Sequence, residues 1–334
     1  MHTSANPGLW DGWGRRIDYL RLSVTDRCDF RCIYCMAEQM RFLPKNQILS
    51  LDELRRLAQI LVQQGIKKIR ITGGEPLLRQ GIVQFCAQLR PLEGLEELVL
   101  TTNGSQLHTL AHPLAAAGVQ RLNISLDSIQ PHRFRQITRH GDLAQVLRGI
   151  DQAQTAGFQR IKLNAVIMRG HNDDEILPLL NFALERQLDI SFIEEMPLGN
   201  VGRDRHGQYC SSDVIQQRIS QHYLCTEVAA ETSGPSRQLR LHAYPHIRVG
   251  LISPHSHNFC GSCNRIRLTV EGRLLLCLGN EHSLDLRALM RKKNRDDTAL
   301  ANAIAAALQN KPKRHHFHTD EDTSIVRFMN ASGG

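Results

Sequence analysis

Six of the nine cysteines in this 334-residue chain fall into two triplets. Cys28, Cys32 and Cys35 form C-x3-C-x2-C, while Cys260 and Cys263 form C-x2-C and Cys277 follows after thirteen intervening residues. Thiolates are the natural ligands of iron–sulfur clusters, and a four-iron cluster held by only three leaves one iron open to a small ligand. Neither triplet has an obvious fourth cysteine. Zinc is the alternative, completed by a histidine or a distant cysteine; C-x2-C pairs suit it and x3-x2 triplets do not. For the second set, His255 or His257 is the candidate fourth ligand. Cys86, Cys210 and Cys225 lack any such spacing and read as ordinary thiols, Cys86 on a buried helix face.

An open iron can chelate the amino and carboxylate groups of S-adenosylmethionine, and an electron from the reduced cluster can then cleave the sulfonium to a 5′-deoxyadenosyl radical. Cluster and cofactor supply that chemistry, and the protein positions them. Two further features fit such a site. Gly73-Gly74-Glu75-Pro76 lets backbone approach a ligand closely, although alone it reads equally as a turn. Arg265 and Arg267 stand two apart in a strand-like run and so share a face. Adjacent guanidiniums repel unless an anion lies between them, and a triphosphate meets that need; a solvated strand face is the plain alternative. Asn103, Ser125 and Asp127 each read singly as cap or turn residues.

The elements that position these groups repeat. From about residue 17, β-rich runs alternate with amphipathic stretches: IDYLRLSV then SLDELRRLAQILVQQG, KKIRIT then LLRQGIVQFCAQLR, ELVLTT then HTLAHPLAAAG, QRLNISL then a helical region ending near Gly157, RIKLNAVI then DDEILPLLNFALERQ, and DISFIEEM. Six βα units imply a parallel sheet, and TGGEP, TTNG, SLDS and EEMPLGN all follow strands, where such sheets gather their sites. The expected fold class is α/β, an incomplete (β/α)6 TIM-like barrel. After about residue 200 the alternation fails, and short runs, LRLHAY, HIRVGLI, RIRLTV and RLLLCL, mark a smaller C-terminal α+β module that closes the barrel. The expected divisions are residues 1–14, an N-terminal extension; 15–235, the barrel; and 236–334, the module, with Cys277 inside the RLLLCL strand.

Apolar residues at 41% and charged residues at 22% describe a folded chain, and a net charge of +8 favours anionic partners. No run of about 18 apolar residues exists, and MHTSANPGLWDGWGRR lacks an apolar signal region, so a cytoplasmic protein without a membrane span is expected. In that compartment nine cysteines point to metal or redox chemistry rather than disulfides. Aromatic residues at 5% and cysteine sets of three argue against a zinc-containing nucleic-acid binder.

With RLSVTDRCDFRCIYC, RITGGEPLLR, LTTNG, NISLDS, FIEEMPLGN, CGSCNRIRLTVEGRLLLCL and Gly333-Gly334 in order, the chain resembles the GTP 3′,8-cyclase family of molybdenum cofactor biosynthesis, within the radical S-adenosylmethionine superfamily, over about residues 15–334. The resemblance implies two 4Fe-4S clusters, on Cys28, Cys32 and Cys35 and on Cys260, Cys263 and Cys277. It implies S-adenosylmethionine contacts from Tyr34, Gly74, Ser125 and Met196. GTP contacts would come from Arg21, Arg70, Thr101, Lys162, Arg265, Ile266 and Arg267. The implied reaction joins C3′ of the GTP ribose to C8 of guanine, giving (8S)-3′,8-cyclo-7,8-dihydroguanosine 5′-triphosphate for a downstream cyclic pyranopterin monophosphate synthase. A reductant such as flavodoxin and a homodimer are further implied partners, and a glycine tail reaching the active site is a further implied feature. Two departures stand out: Ser191 where relatives often carry a basic residue, followed by the acidic Glu195, and a NASGG tail lacking a bulky aliphatic before its glycines. The competing enzyme class, a peptide maturase with an auxiliary cluster, usually carries more auxiliary cysteines and a peptide-binding extension.

Overall fold

The computed structural model describes residues 8–229, 234–292, 296–315, 317 and 325–333. Residues 1–7 of the expected extension, part of the ETSG loop and Gly334 lie outside these. The chain opens on a hairpin, β1 (Leu9–Trp10) with β2 (Arg16–Ile17), that the sequence pattern did not disclose. The barrel units follow: β3 (Tyr19–Ser23) and α1 (Leu51–Gln63), β4 (Lys68–Thr72) and α2 (Ile82–Leu89), and β5 (Glu97–Thr102) and α3 (Leu107–Ala116). Then come β6 (Arg121–Ser125) with α4 (Pro131–Thr138) and α5 (Leu143–Thr155), β7 (Arg160–Ile167) and α6 (Ile176–Glu185), and β8 (Asp189–Glu194) and α7 (Ser212–Ser220).

Local chemistry accounts for the elements. Helix α1 starts at a capping box, in which Ser50 Oγ accepts from Glu53 N–H and the Glu53 carboxylate accepts from Ser50 N–H. It buries Leu54, Leu57, Ala58 and Leu61, one helical stripe, against the sheet, and stops where Gly65 takes φ +110°. In β4 all five residues are buried, as covered parallel strands require. Phe85, Phe134 and Phe192 are among the largest side chains of the core. Among the described residues no helix is long and apolar enough to cross a membrane.

The C-terminal part adds β9 (Cys225–Val228), β10 (Ser236–Leu241), β11 (Arg248–Ile252), β12 (Arg265–Leu268), β13 (Arg273–Leu275), β14 (Ser283–Asp285), α8 (Leu286–Met290), α9 (Asp297–Leu308) and α10 (Met329–Ser332). It does not fold as a separate sheet. The strand order is β14-β13-β12-β3-β4-β5-β6-β7-β8-β11-β10-β9, so the module extends both edges of the barrel sheet. Both joins are parallel, β12 on β3 and β11 on β8. The sheet stays open, its hydrogen-bonded ends being β14 and β9.

One expectation needs correcting: β13 stops at Leu275, and Cys277 lies beyond the strand rather than within it. The Lys311 ammonium takes the Leu276 carbonyl, removing it from the ladder and freeing the next residues to turn.

Glu194, fully buried at the end of β8, ties the module to the barrel. It accepts from the N–H groups of Ser212 (2.8 Å), His255 (3.0 Å) and Ser256 (3.2 Å), and from Ser256 Oγ. Glu194→Ala orphans these donors and is expected to destabilise the chain by roughly 2–3 kcal/mol, the scale for buried groups left unpaired. Urea unfolding measures it; a change under about 0.5 kcal/mol, the scale of a neutral surface substitution, would show that Glu194 is no anchor.

Candidate functional site

A cavity of about 500 Å³ runs along the inner face of the sheet, and every residue picked from the sequence for cluster, cofactor or substrate lines it. Both thiol triplets open onto it, as do Tyr34, Gly74, Ser125, Met196, Arg21, Arg70, Thr101, Lys162, Arg265 and Arg267. Ile266 also borders it, but its side chain is fully buried in the core, on the face opposite Arg265 and Arg267, so only its backbone is offered.

The first triplet lies in the loop after β3. Cys35 N–H bonds Cys32 O at 2.9 Å, a tight turn that sets those two thiols side by side. The loop is fastened to β4: Gly74 N–H bonds Thr25 O at 2.8 Å and Glu75 N–H bonds Arg27 O at 2.7 Å. A Cβ on Gly74 would lie 2.3 Å from Arg27 O, and one on Gly73 would lie 2.6 Å from Thr25 O. Both glycines are therefore required by close approach to the cluster loop itself. Tyr34 OH donates to Asp127 Oδ2 (2.9 Å), whose other oxygen accepts from Val166 N–H, and Asn103 Nδ2 donates to Asp29 Oδ1 (2.7 Å). Burial pushes the Cys28 and Cys32 thiols up, with Glu75 and Asp127 respectively adding to it, and holds Cys35 at about 12. Glu75, buried among the donors of Leu77, Thr102 and Asn103, is raised to about 8.

The second triplet repeats the turn, Cys263 N–H bonding Cys260 O at 3.2 Å over a 3-10 turn (Cys260–Ser262). Burial raises the Cys277 thiol here too, but at Cys263 the balance is reversed. Burial opposes ionisation of Cys263, yet Arg265 and then Lys311 overcome it and bring the thiol to about 7. His255 and His257, the candidate zinc ligands, are engaged elsewhere: His255 Nε2 with Glu195 O (3.1 Å) and His257 Nε2 with Asp213 Oδ1 (2.6 Å). Among the described residues no three His, Cys, Asp or Glu side chains converge on one metal ion. All six cysteines are free thiols on a shared cavity, and three thiolates are the donor set that would hold a four-iron cluster with one iron open.

Between the triplets stand cations. Arg70 Nη1 donates to Thr101 Oγ1 (3.0 Å) and its Nε to Tyr19 OH. At the cavity's edge the cations are paired, Lys68 and Arg121 with Glu97 and Arg160 with Asp189. Arg70, Lys162 and Arg267 share in no ion pair among the described residues. Burial and then Arg70 lower Lys162 to about 7. Burial and the neighbouring Arg21 and Arg265 lower Arg267. Tyr19 comes down to about 7 because Arg70, Arg21 and Lys68 outweigh its burial. Charges crowded like this are relieved by an anion among them.

The C-terminal segment enters the same space. Met329 N–H bonds Cys35 O (3.2 Å), Asn330 Nδ2 donates to Asp26 O (2.9 Å), and Arg267 Nη1 donates to the carbonyls of Ser332 and Gly333. Gly333, at φ +75°, leaves no room for a side chain, since its Cβ would lie 2.3 Å from Thr72 Oγ1. Thr72 Oγ1, Asn164 Oδ1 and Asn330 Oδ1 are buried here without a partner among the described residues, as polar atoms lining a ligand site are.

Residues 22–183 match the Radical SAM superfamily, and residues 188–317 match Molybdenum Cofactor Synthesis C. The GTP 3′,8-cyclase of Pseudomonas entomophila is 59% identical over 331 residues, spanning 98% of this chain and 99% of that one. GTP 3′,8-cyclase 1 of Pseudomonas aeruginosa is 60% identical over 324 residues, spanning 97% and 98%. This chain belongs to the GTP 3′,8-cyclase family. In structure it is similar to Streptococcus suis SuiB, solved bound to S-adenosylmethionine, with a TM-score of 0.60 at 12% identity over 94% of this chain and 77% of that one; this is a likeness of fold.

For a member of the GTP 3′,8-cyclase family, the first departure, Ser191 with Glu195, has a structural answer. Ser191 lines the cavity at 1% exposure, where the glycine opposite it, Gly250, has a Cβ position only 2.5 Å from Ser191 Oγ. Glu195 is taken up by Arg203 and by Arg205 (3.0 Å) and does not enter the cavity lining. Sequence reasoning passed over Lys68, Arg121, Asn123, Arg160 and Asn164, which line the cavity. The signal was there: in strands buried on both faces, polar residues recur at every second position, as in Arg121, Asn123 and Ser125, or Arg160, Lys162 and Asn164.

Above pH 7 the free Lys162 loses its proton, whereas a bound polyanion favours the charged form, so binding then takes up a proton. Affinity for inorganic tripolyphosphate is expected to fall between pH 7.5 and 9, by up to about tenfold per pH unit for each proton taken up. Calorimetry in buffers of different ionisation enthalpy reads that uptake. Lys162→Met should reduce it; unchanged uptake would exonerate Lys162.

Proposed function

We propose that this chain catalyses the 3′,8-cyclisation of GTP, with S-adenosylmethionine and two three-cysteine 4Fe-4S clusters, as the first step of molybdenum cofactor biosynthesis. The observation that carries this is one cavity with a thiol triplet at either end and, between them, Arg70, Lys162 and Arg267, which share in no ion pair among the described residues. When bound, the clusters and S-adenosylmethionine supply an electron and the 5′-deoxyadenosyl radical that leads to the C3′–C8 bond of (8S)-3′,8-cyclo-7,8-dihydroguanosine 5′-triphosphate.

The protein's part is to hold, orient and exclude. Cys28, Cys32 and Cys35 hold the first cluster; Tyr34, Gly74, Ser125 and Met196 surround the S-adenosylmethionine beside it. Asp127 fixes the Tyr34 hydroxyl and so the plane of its ring. Cys260, Cys263 and Cys277 hold the second cluster. Arg21, Arg70, Lys162, Arg265 and Arg267 receive the triphosphate, with Thr101 steadying Arg70 and the Ile266 backbone bordering the site. Fixing both reacting carbons in one frame accounts for a large share of such rate enhancements. Residues 15–235 then carry the radical end and part of the substrate's cations, and residues 236–334 carry the second cluster with Arg265 and Arg267. An acidic one-electron carrier such as flavodoxin, a downstream cyclic pyranopterin monophosphate synthase, a homodimer and a cytoplasmic location complete the proposal, supported by the family and by the charge of +8.

Anaerobic reconstitution should give about eight iron and eight sulfide per chain, two four-iron clusters, with GTP-dependent 5′-deoxyadenosine and a cyclised nucleotide. Zinc without sulfide would overturn the mechanism, and full clusters without GTP turnover would overturn the substrate. Cys277→Ala should keep reductive cleavage of S-adenosylmethionine and lose cyclisation; persistent product would make the second cluster dispensable. Arg267→Ala should weaken GTP roughly tenfold or more, the worth of a charged hydrogen bond, and guanosine much less. Equal losses would remove its triphosphate role.

A further inference from the structure

Lys311 is among the groups assigned to neither cluster, cofactor nor substrate above, yet it is one of the most buried charged side chains among the described residues at 2% exposure. It follows α9, with its N–H on Leu308 O at 3.0 Å. The segment is clamped from outside: Trp13 Nε1 donates to Lys311 O (2.9 Å), and Arg15, held by Asp11 (2.6 Å), donates to Pro312 O (2.8 Å), Lys313 O (3.0 Å) and Cys260 O (2.7 Å). The side chain is thereby driven inward onto the cavity. Its ammonium donates to Arg265 O at 3.0 Å and to Leu276 O. Those carbonyls belong to the residue two beyond Cys263 and the residue just before Cys277.

Lys311 shares in no ion pair among the described residues, its hydrogen-bond acceptors being these two neutral carbonyls. A buried ammonium is costly to leave without an opposite charge, and buried charges are therefore paired or bound to metal sites. The acid-forming groups beside it are thiols, and it acts electrostatically on both Cys263 and Cys277. A four-iron cluster held by three thiolates is a net anion, more so when reduced, and its potential responds to local charge. A fixed cation favours the reduced form by Coulomb attraction that burial strengthens.

Resting on the two-cluster reading, we propose that Lys311 is the built-in countercharge of the second cluster, joining the Cys263 and Cys277 segments through their carbonyls and raising the cluster's reduction potential. Lys311 is a positioning residue, distinct from the groups that touch substrate.

The test uses the reconstituted full-length holoenzyme, with the second cluster recognised as the EPR signal that GTP perturbs. Lys311→Met with full iron should shift that cluster's reduction equilibrium about tenfold toward the oxidised form, a fall of about 59 mV for one electron. The potential of the S-adenosylmethionine-sensitive cluster should stay unchanged, and Lys311→Arg should sit near the wild type. Full iron with an unmoved potential in Lys311→Met overturns the inference. Should Lys311→Met fail to assemble the second cluster, Lys311→Arg decides: assembly regained supports a role for the charge, and assembly lost again makes the requirement one of shape and overturns it. A wild-type chain with no GTP-sensitive signal would defeat the two-cluster reading first, and so separates the two failures.

Discussion

The parallel pairing of β12 with β3 is the constraint on which the site depends. It sets Arg265 beside Tyr19 and Arg267 beside Arg21, while β3 sets Arg21 beside Arg70 on β4. A one-residue slip would turn Arg265 and Arg267 into the core and bring Ile266 into the cavity. The register is secured by the apolar alternates, Leu20, Leu22, Ile266 and Leu268, all fully buried. Hydrophobic burial on one face of the strand thus fixes where charge stands on the other, and the second cysteine loop is carried into place because it immediately precedes β12.

The same logic explains how so many cations are tolerated. Outer ones are neutralised by Glu97 and Asp189 at strand beginnings, whereas among the described residues Arg70 bonds the hydroxyls of Tyr19 and Thr101 and Arg267 the tail carbonyls. Folding energy from the apolar core holds an arrangement that electrostatics alone would disperse. The tail substitutes partly for an anion: carbonyl dipoles from Ser332 and Gly333 meet Arg267.

Much of this was legible in the sequence. Six βα units, the capping box at Ser50 and the convergence of strand-end motifs follow from periodicity and cap chemistry, which are local. The cysteine triplets were legible because few other functions demand that spacing. What was hidden is non-local. Nothing local says that strands from the C-terminal part join both edges of the barrel sheet, or that Leu276 surrenders its carbonyl to Lys311 and so ends β13 before Cys277. Gly73 and Gly74 were legible as glycines needing close approach, but the approaching partner is the cluster loop's own backbone, more than forty residues earlier.

The two ends of the cavity differ in the sign of their surroundings, and this bears on what each can do. Around the first triplet the side chains that act on the thiols are carboxyls, Asp29, Asp127 and Glu75, of which Glu75 is raised to about 8 by burial and so is weighted toward its neutral form. Around the second they are Arg265 and Lys311. Negative surroundings make an iron–sulfur centre harder to reduce and so a stronger reductant once reduced, and positive surroundings do the opposite. Under the proposed function, a cluster that would donate an electron to S-adenosylmethionine fits the first environment. Under the same proposal, a cluster that would stand beside a bound triphosphate fits the second. The fold achieves this by placing Asp29, Glu75 and Asp127 in the loops after β3, β4 and β6, and Arg265 and Lys311 on β12 and in the segment after α9. The division of chemical labour is thereby written into the sheet order itself.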